Sequence, residues 1–165
     1  MQPSRWYALT TKPRLERITA SHLRLKGFDE LTPTYRVRRR WSDRFKEIEH
    51  QLFPGYVFCR FTYEQRMAVL TTPGVVSVVG FGKTPAAIED AEIDSIRSIL
   101  KSGAHARPWP YLRAGQRVRI EGGCLQGVAG TLVRQDDACR VVVNIEILQR
   151  AVAVEIDRDL VRAVA

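Results

Sequence analysis

Hydrophobic and polar positions alternate, then repeat at three and four, then alternate again along this chain. Arg5 to Thr10 alternates as a first strand, with Trp6 and Tyr7 on opposite faces. Lys12 and Pro13 suit a helix start and Gly27 its end, with Leu15, Ile18, His22 and Leu25 between them at helical spacing as a core stripe. Arg14, Arg17, Ser21 and Arg24 follow the same spacing and predict a basic ridge beside that stripe. Leu31, Pro33, Tyr35 and Val37 predict a strand over 30–38, and the charge-dense RRRWSDRFKEIEHQ that follows predicts an exposed hairpin connection. A short helix over 63–70, a turn at Thr72-Pro73-Gly74 and a buried strand over 75–81 come next. Glu89 or Asp90 caps a helix with an apolar stripe of Ile93, Ile96 and Leu100, ending near Gly103.

The run LFPGYVFCRF, Leu52 to Phe61, stands at the centre of this pattern. Pro54 fixes its own φ and Gly55 permits the reversal, so the run begins as a turn and continues as a strand. Val57, Cys59 and Phe61 then share one face and Tyr56, Phe58 and Arg60 the other. The first face is core. The second is either buried as well or an aromatic patch that docks a partner.

From Ser102 to Leu112 periodicity stops, and two prolines flank Trp109 there, which predicts a linker at 102–112. Short β-type runs follow at 116–121, 128–134, 140–145, 151–156 and 159–161. Gly122-Gly123, Gly127, Gly130 and Asp136-Asp137 punctuate them, the pattern of a small five-stranded β-barrel. The expected class is therefore α+β: a domain at 1–101 with an antiparallel sheet flanked by helices, a linker at 102–112 and a barrel at 113–165.

The 165 residues carry a formal charge of +8, with 45% apolar and 27% charged residues, an ordinary globular composition. The charge is uneven: residues 1–60 hold 13 Lys/Arg against 6 Asp/Glu, whereas residues 61–165 hold 13 against 12. A basic N-terminal third points either to a polyanion contact or to a solvated basic surface. In the stretch 36–46, Arg38, Arg39, Arg40, Arg44 and Lys46 are mixed with Trp41 and Phe45, side chains that bind phosphates and stack on bases. Cys59, Cys124 and Cys139 form no CxxC pair, which argues against zinc or a disulfide framework and for a reducing cytoplasm. No apolar run reaches the roughly 20 residues of a membrane span, and MQPSRWYALTT lacks the pattern of a secretory signal. No nucleophile–base set, phosphate loop or metal-ligand spacing is present, so an enzyme and a cofactor are not expected. His50, His105 and Cys59 read as surface or core residues, and His22 as a boundary residue.

Trp6-Tyr7, FPGYVF at Phe53–Phe58 and TPGVVSVVGFG at Thr72–Gly82 resemble, in that order, the N-terminal domain of NusG-type transcription elongation factors. GQRVRIEGGCLQGVAGTLV, Gly115–Val133, looks like a KOW motif with its central glycine at Gly130, and LQRAVAVEIDRDLV resembles that domain's closing strands. The resemblance covers nearly the whole chain. It implies a protein, expected as a monomer with no membrane contact, that docks on the clamp helices of RNA polymerase's largest subunit and suppresses pausing. It places the docking residues at Thr10, Phe53, Tyr56 and Phe58. The nucleic-acid contacts implied, to the non-template DNA of the transcription bubble, fall on Lys12, Arg14, Arg17, Arg24, Arg38, Arg39, Arg40 and Arg44. The KOW loop, with Gly123 and Leu125 at its apolar tip, is the implied contact for ribosomal protein S10 or Rho. The wording LFPGYVF, the Arg-rich loop and the ending LQRAVAVEID lean towards a specialised antitermination paralogue, cytoplasmic and nucleoid-associated during transcription. A housekeeping factor acting on most genes and an RNA- or ribosome-binding KOW protein are the alternatives. Valines at 141–143 and at 152 and 154 predict β-strands, hence a barrel, in the closing hairpin.

Overall fold

In the computed structural model, which describes residues 2–135 and 138–164, the alternating N-terminal run is strand β1 (Arg5–Thr11). Helix α1 (Glu16–Leu25), β2 (Asp29–Leu31), β3 (Thr34–Trp41), β4 (Arg44–Gln51) and β5 (Tyr56–Phe61) follow. A 3-10 turn then leads into α2 (Arg66–Leu70), and β6 (Val75–Val78), β7 (Gly80–Phe81) and β8 (Thr84–Pro85) complete the first of two units, Met1–Ile88. Its main sheet is antiparallel in the order β2-β5-β1-β6, with β3-β4 and β7-β8 as separate two-stranded ribbons.

One face of the sheet forms a core of Tyr7, Leu9, Val57, Cys59 and Phe61 with Ala20, Leu23 and Val69 from the two helices. The Tyr7 and Phe61 rings lie 4.6 Å apart. Each fully buried large side chain here contributes roughly 1.5–3 kcal/mol. The helix meets this core with a different stripe from the one the pattern predicts: Glu16, Thr19, Ala20 and Leu23 are buried, whereas Ile18 is 53% and Leu25 84% exposed. Ala20 and Thr19 are small enough to let the helix approach the sheet closely. Arg14 precedes the helix with a φ of 64°, so the basic ridge keeps only Arg17 and Arg24 on α1 itself.

Three other expectations change. The strand over 30–38 divides, β2 joining the main sheet while β3 turns away to pair with β4 in a long hairpin. The strand over 75–81 likewise divides into β6 and β7, and Phe81 is 75% exposed rather than buried. The linker is in large part a strand, described below.

The second unit, Glu89–Ala165, begins with α3 (Asp90–Ser102). Ile93, Ile96 and Ile99 are its buried positions, so Ile99 takes the place in the stripe expected of Leu100, which is half-buried. Strands β9 (Ala106–Pro110), β10 (Arg117–Ile120), β11 (Ala129–Gln135), β12 (Ala138–Ile145), β13 (Arg150–Glu155) and β14 (Val161–Ala163) form one antiparallel sheet in the order β14-β10-β11-β12-β13-β9. The five strands expected of the barrel are present, the last shifted to Val161–Ala163 behind a 3-10 turn. The turn expected at Asp136-Asp137 lies outside the described residues.

The sixth strand, β9, occupies the middle of the expected linker. Pro108 and Pro110 pair in register with Val152 and Arg150 on an outer strand, where a missing N–H goes unused. Trp109 packs against Val142, Ala151 and Ala153, with the Arg140 guanidinium 5.5 Å from its ring centroid. At Gly130 a Cβ would stand 2.4 Å from the Val142 carbonyl oxygen and 2.8 Å from Val141 Cγ1, so only glycine lets β11 and β12 close here.

Candidate functional site

The stretch Phe53–Phe58 is built from the turn outward. Tyr56 N–H donates to the Phe53 carbonyl at 3.1 Å and Gly55 has a φ of 85°, which makes Phe53-Pro54-Gly55-Tyr56 a type II turn with each residue in its favoured place. The Gly55 N–H donates to Glu16 Oε1 at 2.9 Å, and the Gly55 carbonyl accepts from Thr11 N–H at 2.9 Å. Glu16 is itself buried in the first turn of α1, where a carboxylate also suits the helix N-terminus. The helix and β1 therefore both hold the turn.

Beyond the turn, β5 pairs with β1 so that Tyr56 opposes Thr10, Phe58 opposes Ala8 and Arg60 opposes Trp6. These six side chains share the sheet face away from α1 and α2, and Leu31 joins them opposite Phe58. Phe53 meets Phe58 edge-on, with ring centroids 5.2 Å apart and planes at 85°. Thr10 and Ser77 share a hydroxyl–hydroxyl hydrogen bond of 2.6 Å. The face is thus assembled as the alternation predicts. Its exposure is not uniform, since Phe58 and Phe53 are buried at 0% and 1% while Thr10 and Tyr56 are half-buried. Behind it, burial pushes the Cys59 thiol up to about 12, so Cys59 is an inert core residue.

The basic residues divide by partner. Arg17 is ion-paired to Glu49 of β4 and Arg24 to Glu30 of β2, across a groove of about 470 Å³ that also takes in Ser21 and Thr34. Lys12 and Arg14 are exposed in the loop before α1. Arg38, Arg39, Arg40 and Arg44 all lie near the tip of the β3–β4 hairpin, closed by Ser42 and Asp43. The structure groups these four together and sets them on a different element from the arginines of α1.

In the second unit, the loop between β10 and β11 carries a 3-10 turn at Gly123–Leu125. Gly123 is exposed, but Leu125 is buried at 3% and so does not form an apolar tip. The turn directs Leu125 inward, and α3 lies against this turn and against β12. Cys124 and Gln126 are the side chains the loop exposes, a consequence of the turn that alternation does not reveal. Nearby, Glu92 of α3 accepts from the Glu146 N–H at 3.3 Å, and burial holds its carboxyl above the usual range. The Tyr111 hydroxyl donates to the Glu146 carboxylate, a bond that raises the phenol's pKa. Among the described residues, no group of His, Cys, Asp and Glu is placed to hold a metal, and no helix is long and apolar enough to cross a membrane.

A family model described as NusG, transcription termination factor nusG, matches residues 4–97, more than half of the chain. The chain belongs to the NusG family. NusG of Rickettsia bellii, a transcription termination/antitermination protein, is 24% identical over 164 residues, covering 92% of this chain and 86% of that one. NusG of Lactococcus lactis is 29% identical over 131 residues, covering 76% and 69%. A solved structure on domain interaction in Thermotoga maritima NusG shares the fold, with a TM-score of 0.56 at 20% identity and 98% of each chain covered. NusG proteins are transcription factors rather than enzymes, and this one is a transcription termination/antitermination factor of that type.

Proposed function

We propose that this NusG-family protein binds RNA polymerase on the clamp helices of its largest subunit. Contact is through the sheet face of Thr10, Tyr56, Phe58 and Phe53, and binding suppresses pausing or termination. The observation that carries the reading is the joining of those four residues on one face by the β1–β5 register and the type II turn. Binding a closed clamp more tightly than an open one shifts polymerase out of its paused state by differential affinity alone. Phe53 and Phe58 are buried in this structure, whereas Tyr56 is half-buried.

In the same reading, basic residues of the first unit meet exposed non-template DNA while the KOW loop around Gly123 recruits a further factor, ribosomal protein S10 or Rho. The wording LFPGYVF, the Arg-rich stretch 36–46 and the ending LQRAVAVEID favour a specialised paralogue over a housekeeping factor. Mapping where the protein occupies the genome tests that branch: a few long operons support it, and occupancy of most genes refutes it. The docking assignment is tested by the affinity of Tyr56 and Phe58 variants for core polymerase, since undiminished binding by folded variants refutes it.

A further inference from the structure

The β3–β4 hairpin sorts its charges by face. Residues opposite one another on paired strands share a face, and faces alternate along each strand. One face bears the pairs Arg36/Glu49, Arg38/Glu47 and Arg40/Phe45, and both glutamates of the hairpin lie on it. Both of its carboxylates are ion-paired, Glu47 with Arg36 at 3.6 Å and Glu49 with Arg17 of α1, and the Arg38 guanidinium sits 4.2 Å from the Phe45 ring centroid. The other face bears Trp41/Arg44, Arg39/Lys46, Val37/Ile48 and Tyr35/His50 from tip to base. It holds three cations and no carboxylate. Arg39 and Arg44 enter no ion pair among the described residues, and Lys46 Nζ lies 5.9 Å from the centroid of Trp41, which is 63% exposed.

An exposed indole with Lys46 beside its ring, and with Arg39 and Arg44 on the same strand face without an ion pair, suits phosphates joined to unpaired bases. The cations take the backbone and Trp41 offers a stacking surface, which every base can use. A duplex keeps its base faces inside the stack and leaves Trp41 without a partner. The arginines of α1 are poorer candidates, because Arg17 and Arg24 are already held by Glu49 and Glu30.

Building on the nucleic-acid contact proposed above, we infer that the Trp41–Arg44–Arg39–Lys46 face of the hairpin is a binding platform for a single nucleic-acid strand. The opposite face and the α1 ridge are not its main contacts. The shared chemistry of unpaired DNA and RNA is what the face reads.

The test uses the full chain and fluorescence anisotropy with labelled oligo-dT, oligo-U and a DNA duplex over a range of salt. The exposed positions of all these side chains leave the core untouched, and unchanged thermal denaturation of each variant checks this. Trp41→Ala is expected to weaken single-strand binding roughly five- to hundredfold. The triple variant Arg39→Gln/Arg44→Gln/Lys46→Gln is expected to lower the slope of log K against log salt by about 2. Arg38→Gln/Arg40→Gln is expected to change both far less. The tighter of oligo-dT and oligo-U identifies the strand type, and equal binding assigns recognition to phosphate and stacking alone. Equal losses from the two faces overturn the face assignment while leaving the nucleic-acid contact standing. Duplex binding as tight as single-strand binding, with no effect of Trp41→Ala, overturns the stacking platform. Absence of salt-dependent binding by the wild-type chain overturns both readings.

Discussion

Replacing Glu16 with alanine tests how the sequence fixes the turn that leads into β5, the strand proposed to dock. Glu16 Oε1 accepts the Gly55 N–H at 2.9 Å from a carboxylate that is largely out of water, and Thr11 N–H holds the carbonyl of the same residue. A hydrogen bond to a charged group contributes about 1.5–3 kcal/mol, and alanine also leaves the Gly55 N–H without its acceptor. That loss corresponds to an opening equilibrium at Gly55 about 10- to 150-fold more favourable. Glu16→Gln keeps an oxygen at the same reach, so its effect is expected to be less than half as large in free energy. Amide hydrogen exchange at Gly55, read by NMR alongside urea denaturation, measures both. An unchanged Gly55 exchange rate in Glu16→Ala refutes the reasoning, because the carboxylate then contributes nothing to the turn.

Two further outcomes follow from the second unit. Gly130→Ala places a methyl group 2.4 Å from the Val142 carbonyl and should destabilise the sheet by about 1–3 kcal/mol, read as a lower melting temperature; an unchanged melt contradicts the close approach. Because burial raises the Glu92 pKa in the folded state, the folded chain holds that proton more tightly. Its stabilising effect is present below the ordinary glutamate range and lost as pH rises through the folded value. Glu92→Gln removes this dependence while keeping an oxygen for the Glu146 N–H. Its melting temperature relative to wild type should therefore rise from pH 4 to pH 8, and a constant difference over that range contradicts the burial effect.

Where one face of an element is much more apolar than the other, alternation and spacing identify it. The strand Tyr56–Phe61, the turn before it, α3 and the strands of the second unit are of this kind. Helix α1 is different, since Leu15, Ile18, His22 and Leu25 look more apolar than Glu16, Thr19, Ala20 and Leu23. Close packing of Ala20 and the Glu16–Gly55 bond favour the less apolar stripe, and neither is visible in periodicity. The prolines of β9 conceal a strand because proline argues against strands in general, yet an outer strand accepts it. Cations along β3 and β4 similarly conceal that the exposed hairpin expected there is built of two long paired strands, whose faces differ in charge rather than in hydrophobicity. At the candidate site, the register placed Thr10, Tyr56 and Phe58 together as the sequence implied. The burial of Phe53, Phe58 and Leu125 depends on contacts distant in sequence, which local pattern does not encode.

The role of the sheet face is tested most directly by Tyr56. Phe58→Ala would cost about 3–5 kcal/mol of core packing and so mix stability with binding, whereas Tyr56 is only half-buried. The measurement is the affinity of full-length wild type and Tyr56→Ala for core RNA polymerase, with matched thermal denaturation. A docking residue predicts a loss of at least about fivefold, the effect of removing an anchor of 1 kcal/mol or more. A folded Tyr56→Ala protein that binds core polymerase as tightly as wild type contradicts it.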